Sequence, residues 1–394
     1  MCNELAISPM FNLSMASKEL FHSNLLYWLA VAYRNQFKEI MRKLDAKVDS
    51  WSDNWKCHRE KYHFDLLITD EQEEQFYLVI ENKVKSIPHT DQLDDYKEKS
   101  HLHNLEWMLL SLATNLPNRE EIQKKGWIIR NYRELAYAIY YVLPSITNCY
   151  HRQLLEDYCK CILSLHNKQL SWNYKSDCSY NDQFVKGSED EESLRIEDMR
   201  KKVLYSRLAA VLQEKLNAKM FTNKQIAEEN GKSDSGNVYV NYGMTRSMGL
   251  VDVKIRIKDN LMFVIQLQGV AYKHCVETLD KDGLDFVKGI GLALNSQNSS
   301  VKFPAIAHDI AGSFFSSLHE ERKYDIFPFK EGKVVLPNIR KEKKNKDNTA
   351  YNRYGESFIY QYVKLNDNVT VDEVINAIID DVGNLRCKLN QTKL

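Results

Sequence analysis

Three ionisable residues stand on two short apolar segments in the first quarter of the chain. Asp65 lies in the segment 64–68, and Glu81 and Lys83 lie at the end of the segment 77–83. Side chains alternate faces along a strand, so Glu81 and Lys83 point the same way. A carboxylate and an ammonium group are costly to bury in an apolar strand without a partner or a metal ion. The arrangement therefore suits a divalent-metal site and makes the chain a candidate nuclease.

The chemistry of phosphodiester cleavage explains why these residue types are informative. It requires a polarised phosphoryl group, an activated water and a stabilised leaving oxygen, much of which a carboxylate-bound metal ion supplies. Mg²⁺ prefers oxygen ligands and retains several waters, so two or three acidic residues are sufficient. Asp65 and Glu81 are the predicted ligands, and Lys83 is predicted to position the water or the phosphate. The alternative is a purely structural role. In that case Asp65 would pair with a lysine or an arginine, and Glu81 and Lys83 would take part in a cross-strand salt bridge.

Hydrophobic patterning predicts the elements that must hold these residues in position. The acidic segment 70–75 is the turn that joins the two strands of the hairpin. Further helices and strands surround it: helices at 18–33, 36–49, 91–98 and 132–143, and strands at 107–113 and 126–130. Strands separated by helices indicate an α/β layer with a mixed sheet, within about the first 145 residues.

Length and composition limit the function classes. A chain of 394 residues can bury a sizeable core. Lys plus Arg and Asp plus Glu each number 54, so the chain is not a strongly basic nucleic-acid binder, although a local basic cleft is compatible with this balance. The eight cysteines include no CxxC pair, which predicts free thiols in a reducing compartment. With no signal peptide and no apolar run of about 20 residues, we expect a cytoplasmic protein without membrane contact.

An acidic stretch at 178–192 is the predicted linker or exposed loop between two regions. It separates residues 1–177, which contain the hairpin, from residues 193–394, a predicted C-terminal α+β region. We expect the second region to supply substrate selection, homodimerisation or the binding of a protein partner. A basic run at 340–346 is either a solvated loop or a phosphate contact.

A second strand pair, 250–257 and 261–268, has the same outline as the first. Asp252 occupies the position of the aspartate, while Gln266 and Gln268 occupy the positions of the glutamate and the lysine. An ordinary antiparallel hairpin is the simpler interpretation. The alternative is a degenerate internal copy of the core hairpin that lacks the metal carboxylate.

Taken together, the first hairpin and its neighbours resemble the PD-(D/E)XK nuclease superfamily. The signature is an acidic residue on one core strand and a (D/E)-X-K triplet on the next, which here are Asp65 and then Glu81, Asn82 and Lys83. Phe64 stands where the signature has a proline. That variation leaves the metal interpretation intact.

Further motifs extend the resemblance over residues 18–143. The segment 19–24, with the sequence ELFHSN, is similar to the ELxHS-like first helix of a bacterial subfamily. Gln92 and Tyr96 fall in a segment that resembles the QxxxY helix of many members. The segment 127–132 matches the strand-then-helix continuation of the same subfamily.

The resemblance implies a restriction-endonuclease-like α/β core, with a mixed central sheet flanked by helices, and Mg²⁺ or Mn²⁺ as the cofactor. It implies that Glu19 assists Asp65 and Glu81 in holding the metal, and that Gln92 and Tyr96 contact nucleic acid. The habits of the superfamily favour DNA over RNA, and a role in phage defence or mobile-element biology.

Each of these assignments has an alternative. Glu19 also suits the first turn of a helix, where the helix dipole favours a carboxylate. Gln92 and Tyr96 also suit an amphipathic surface, and His22 and Ser23 are better explained by helix packing than by catalysis. The whole region could be a catalytically inactive nucleic-acid-binding or protein-interaction module on the same fold. A chance motif in an unrelated α/β protein is the third interpretation.

A basic cluster precedes the first strand. His58, Arg59, Lys61 and His63 lie within six residues and could steer DNA toward the hairpin. A solvated loop explains them equally well.

Overall fold

The chain divides into two compact units in its computed structural model. The first comprises Met1–Asn173 and Ser188–Arg207, and the second comprises Tyr174–Gly187 and Leu208–Leu394. The structure describes residues 10, 19–84, 93, 97, 105–114, 116, 119–221, 238–245, 247–258, 261–278, 312–319, 326–327, 329–330, 333–334, 352–354 and 358–391. The basic run at 340–346 lies outside these residues.

The first unit consists of one sheet with helices before, between and after its strands. Its elements are α1 (Glu19–Ala32), α2 (Arg34–Lys43), β1 (Lys56–Arg59), β2 (Leu66–Thr69), β3 (Phe76–Lys83), β4 (Glu106–Ser111), α3 (Arg119–Lys124), β5 (Trp127–Asn131), α4 (Tyr132–Val142), α5 (Cys149–Ser171) and α6 (Glu189–Ser193). A longer helix, α7 (Glu197–Phe221), begins in this unit.

The sheet of the first unit is mixed, with strand order β1-β2-β3-β4-β5. β1, β2 and β3 pair antiparallel, whereas β3, β4 and β5 pair parallel. Antiparallel strands can follow a tight turn, and parallel strands require a crossover. Asp70 closes the acidic turn between β2 and β3, since its Oδ1 accepts the N–H groups of Glu74 and Gln75 at 2.8 and 3.1 Å. The predicted α/β fold with a mixed central sheet flanked by helices is therefore confirmed.

The sequence did not indicate β1. Its residues, Lys56, Cys57, His58 and Arg59, lack apolar alternation, and two of them, His58 and Arg59, fall in the basic cluster that the sequence places before the first strand. They form a strand because β2 offers a free edge, and pairing along an edge satisfies backbone groups whatever the side chains are. The predicted helix at 36–49 is also shorter than expected, because α2 ends at Lys43.

A buried polar network joins α1 to the sheet and to two later helices. Asn82, on β3, donates from Nδ2 to Ser23 Oγ at 2.9 Å and accepts from the Tyr132 hydroxyl at 3.2 Å. His22 Nδ1 lies 3.0 Å from the Tyr158 hydroxyl. All five residues are at most 1% exposed. The His22 and Ser23 side chains therefore pack and hydrogen-bond within the core, as the sequence favoured.

β5 continues directly into α4. Asn131 is the last residue of β5 and the N-cap of α4, and its side chain accepts the N–H groups of Arg133 and Glu134 at 3.0 Å. The Glu134 carboxylate accepts the Asn131 N–H in return at 2.7 Å, which completes a capping box. This joint fixes Tyr132, the first residue of α4, where its hydroxyl reaches Asn82.

The second unit contains a sheet whose described strands all pair antiparallel. Its main strands are β6 (Val238–Thr245), β7 (Met248–Lys258), β8 (Leu261–Gln268) and β9 (Ala271–Thr278); β10 (Phe329–Lys330), β11 (Lys333–Val334), β12 (Asn352–Tyr354), β13 (Phe358–Lys364) and the helix α8 (Val371–Gln391) follow. The order of the larger sheet is β12-β13-β9-β8-β7-β6. β7 and β8 form an antiparallel hairpin. That it is a degenerate copy of the first hairpin stays an alternative hypothesis.

The predicted linker at 178–192 contains regular structure. Asn181–Val185 forms a π-helical turn, and α6 begins after Ser188, whose hydroxyl accepts the Glu191 N–H at 3.3 Å. The predicted division into residues 1–177 and 193–394 remains a prediction about domains. No disulfide joins the cysteines in the described part of the chain. None of the described helices combines the length and the apolar character that a membrane crossing requires.

A row of polar side chains crosses the sheet of the second unit. Gln266 donates to Asp252 Oδ1 at 2.8 Å and accepts from Lys273 Nζ at 2.6 Å. The three residues are aligned on neighbouring strands and share one face. Burial raises the pKa of Asp252 to about 6, although the Gln266 hydrogen bond and nearby lysines act in the opposite direction.

Replacing Asn82 tests the buried network of the first unit. Asn82→Ala removes both of its side-chain hydrogen bonds, so we expect the free energy of unfolding to fall by about 2–4 kcal/mol. The exposed Asn54, which reaches Glu71 Oε2 at 3.3 Å, provides the matched control, and Asn54→Ala should change stability by less than about 0.5 kcal/mol. Urea denaturation measures both. Equal losses in the two variants would contradict a structural role for Asn82.

Replacing Asp252 tests the effect of burial on its carboxyl group. Because the folded-state pKa, about 6, exceeds the ordinary value of 3.8, the stability that the protonated group contributes is present below about pH 4 and lost as the pH rises through 6. Asp252→Asn should therefore stabilise the second unit at pH 7.5, by at most about 3 kcal/mol, and have little effect near pH 3.5. Thermal unfolding at both pH values measures this. A variant that is less stable at pH 7.5 would show that the ionised carboxylate is favourable.

Candidate active site

The β2–β3 hairpin holds Asp65 near the end of β3. Asp65 directly precedes β2, whose first residue, Leu66, pairs with Ile80 in the antiparallel register. Glu81 is the next residue of β3 after Ile80. The two carboxylates that the sequence singled out therefore lie at the same end of the hairpin.

Hydrogen bonds fix both carboxylates. Asp65 Oδ2 accepts the backbone N–H of Asn82 at 2.6 Å, which ties the start of β2 to the end of β3. Glu81 Oε1 accepts from Lys83 Nζ at 2.7 Å. Glu81 and Lys83 are 4% and 6% exposed, whereas Asp65 is only partly buried. The most accessible of the three groups is therefore the aspartate.

The side chains at the end of β3 point to two different faces of the sheet. Asn82 points to the face covered by α1, where it contacts Ser23, and its two neighbours point to the opposite face. The parallel register with β4 pairs Val79 with Trp107, so the Trp107 ring lies on the face of Glu81 and Lys83. Lys97 Nζ lies 5.4 Å from the centre of that ring. Lys97 therefore lies on the same face as the ion pair.

Ser111 is a polar residue of this face that sequence reasoning missed. It ends β4 and pairs with Lys83 in the parallel register, so both side chains lie on one face of adjacent strands. Its hydroxyl is fully buried and has no hydrogen-bond partner in the described part of the chain. An unsatisfied buried hydroxyl costs about 1–3 kcal/mol. The signal in the sequence was a lone polar residue after the apolar run of β4.

The remaining predicted site residues are only partly described. Glu19 begins α1, and its side chain lies outside the described residues, as do Gln92 and Tyr96. Leu93, in the segment between the last two, is fully buried. Of the predicted set, the described structure therefore brings together Asp65, Glu81 and Lys83.

The basic cluster lies at the sheet edge beside Asp65. His58 and Arg59 belong to β1, and Lys61 and His63 belong to the turn that follows it. Burial, followed by the charges of Lys61 and Lys56, lowers the pKa of His58, although Glu73 acts in the opposite direction. His58 therefore contributes less positive charge near neutral pH than its residue type suggests.

The chemistry of the donor set fits a hard divalent cation. Two carboxylates, Asp65 and Glu81, provide oxygen ligands, and Mg²⁺ commonly takes one or two carboxylates and completes its shell with water. No cluster of three or more His, Cys, Asp or Glu side chains suited to a metal occurs among the residues that the structure describes. A site of this composition would therefore depend on water and on substrate oxygens.

Comparisons with known proteins agree with this geometry. The family model that describes the PD-(D/E)XK nuclease superfamily matches residues 10–160. No curated protein and no solved structure matches the chain. The matched span includes the whole five-stranded sheet and the Asp65, Glu81 and Lys83 positions. Over residues 10–160, which are less than half of the chain, this protein is therefore similar to the PD-(D/E)XK nuclease superfamily.

Proposed function

We propose that the chain is a metal-dependent nuclease that hydrolyses phosphodiester bonds, with DNA as the substrate. The observation that carries the proposal is the grouping of three charged side chains at the end of β3: Asp65 Oδ2 accepts the Asn82 N–H, and Glu81 and Lys83, on either side of Asn82, form a buried ion pair. The match to the superfamily model over residues 10–160 supports a nuclease. The choice of DNA, a cytoplasmic location and a role in phage defence or mobile-element biology follow from the resemblance and the composition.

Asp65 and Glu81 would hold Mg²⁺ or Mn²⁺, with Glu19 as a further carboxylate at the start of α1. When bound, such an ion neutralises charge on the phosphoryl oxygens and lowers the pKa of a bound water. The Asn82 N–H orients the Asp65 carboxylate through its 2.6 Å hydrogen bond. That bond reduces the freedom of the side chain before any ligand binds, which lowers the entropic cost of binding.

Lys83 would contribute a positive charge from the protein, in addition to the charge of the metal ion. Its ammonium group is held by Glu81 in a largely buried position, where electrostatic interactions are stronger than in water. In this position it would orient the attacking water or stabilise charge on the phosphate. We propose that Gln92 and Tyr96 contact the nucleic acid, and that the second unit selects the substrate or binds another copy or a protein partner.

The buried ion pair favours one alternative. Glu81 and Lys83 form an ion pair with each other, an arrangement that is also compatible with a binding module that had lost turnover. Such a module would bind nucleic acid or a protein partner without cleaving it. Cleavage assays separate the two functions.

Substitutions at the hairpin test the proposed chemistry. Purified full-length protein with Mg²⁺ or Mn²⁺ should cleave plasmid or linear DNA. Asp65→Asn, Glu81→Gln and Lys83→Ala should each lower the rate by at least about 100-fold, because each removes a charge from the reacting centre. Lys160→Ala, on the exposed surface of α5, is the matched control and should cleave at the wild-type rate. Persistent cleavage by the three hairpin variants would exclude this site, and an inactive wild type on DNA and RNA would favour the binding module.

Metal removal tests the cofactor separately from activity. Chelation should abolish cleavage, and Mg²⁺ or Mn²⁺ should restore it. Because an ion that binds only the folded state stabilises it, Mn²⁺ should also raise the melting temperature of the wild type, with a gain of about 2.7 kcal/mol at one hundred times the dissociation constant. Asp65→Asn combined with Glu81→Gln should remove this shift. A shift that survives the double substitution would locate the metal elsewhere.

A further inference from the structure

A groove lies between α1 and β1. Its volume is about 590 Å³, and its lining includes Asn24 and Tyr27 from α1, and Arg59 and Lys61 from β1 and the turn that follows. The Glu60 backbone N–H, also in the lining, donates to the Asp65 carbonyl at 3.4 Å. The groove therefore borders one of the proposed metal ligands.

Arg59 is held in a fixed position within this groove. Its guanidinium carbon lies 4.6 Å from the centre of the Tyr27 ring, and its Nη1 donates to Asn24 Oδ1 at 2.5 Å. No carboxylate pairs with Arg59 among the residues that the structure describes. A preorganised guanidinium without an acidic partner is suited to a phosphate, which it can bind through two parallel hydrogen bonds.

The turn beside the groove has an unusual backbone. Glu60, Tyr62 and His63 have φ angles of 52°, 55° and 67°, in the left-handed region that non-glycine residues rarely adopt. Such conformations cost about 1–3 kcal/mol each and cluster at binding and catalytic sites. This turn presents Tyr62, which is 50% exposed, next to Lys61. An exposed aromatic ring beside basic side chains is typical of surfaces that bind single strands.

We propose that this groove, defined by Asn24, Tyr27, Arg59 and Lys61, binds an unpaired nucleotide of the strand that is cut. A volume of about 590 Å³ is in the range of pockets that enclose one small ligand, whereas a duplex is too wide to enter. Arg59 contacts the phosphate of that nucleotide, and its base stacks on the aromatic and guanidinium planes. The proposal rests on the proposed nuclease function and specifies its substrate as single-stranded nucleic acid or a duplex with an unpaired segment.

The charges around the groove agree with one phosphate contact. Lys61 is paired with Glu73, and Glu60 adds a carboxylate to the lining, so the groove carries little net positive charge. Arg59 is the lining cation that has no ion-pair partner among the described residues. A duplex-binding surface needs many such cations along its length. One anchored cation beside aromatic rings suits a single nucleotide instead.

Equilibrium binding without metal tests the groove. Fluorescence anisotropy of the full-length protein in EDTA would compare single-stranded DNA and RNA of about 12 nucleotides with a duplex of the same sequence. We expect tighter binding of a single strand, weakened about tenfold by Arg59→Gln and by Tyr27→Leu, with little change for the duplex. Arg59→Gln should also lower the salt dependence of single-strand binding by about 0.7 in the logarithmic slope.

Arg42→Gln is the matched control, because Arg42 is an exposed arginine of α2 outside the groove, paired with Glu39 and Asp49. It should bind each oligonucleotide as the wild type does. Unchanged single-strand affinity in both groove variants, or an equal loss for the duplex, would overturn the proposal. Failure of the groove is distinguishable from failure of the nuclease, since cleavage by the wild type and its loss in Lys83→Ala are measured separately with metal present.

Discussion

Asn82 connects the core of the first unit to the proposed active site. Its side chain points into the core and joins Ser23 of α1 to Tyr132 of α4, and its backbone N–H holds the Asp65 carboxylate. Because side chains alternate along a strand, fixing Asn82 on one face directs Glu81 and Lys83 to the other. The position of the candidate site therefore depends on a residue whose side chain does not enter it.

The Glu81–Lys83 pair is difficult to explain by stability alone. Burying two charges has a desolvation cost that their attraction often fails to offset, and apolar residues of similar size frequently serve a core as well or better. The neighbouring residues Val79 and Ile80 are fully buried and apolar. A charged pair at the end of such a strand is therefore consistent with a requirement other than folding, and the proposed phosphodiester chemistry would provide one.

Much of the first unit was predictable because its signals are local. Alternation along β3 and the apolar run of β4 define strands, and the antiparallel pairing of β2 with β3 brings Asp65 to the end of β3 that carries Glu81 and Lys83. β1 was not predictable, since its pairing with β2 satisfies the backbone without any apolar pattern in Lys56–Arg59. The role of Ser111 and the presence of the groove were also not predictable. Both depend on contacts between residues distant in sequence, namely the pairing of β3 with β4 and the packing of α1 on the sheet edge. The same holds for the β7–β8 hairpin. Its strands can be predicted from the hydrophobic pattern, whereas the buried hydrogen bonds that join Asp252, Gln266 and Lys273 cannot.

The position of β1 at the edge of the sheet has a further consequence. An edge strand exposes backbone donors and acceptors that could pair with a strand of another molecule, and charged side chains are a common protection against such association. β1 is short, and both its first and its last residue, Lys56 and Arg59, are charged and exposed. Substitution of Arg59 by an apolar residue would therefore do more than remove a cation from the groove. It would leave the strand with one fewer barrier to intermolecular β-sheet formation, so that solubility and ligand recognition are constrained by the same side chain.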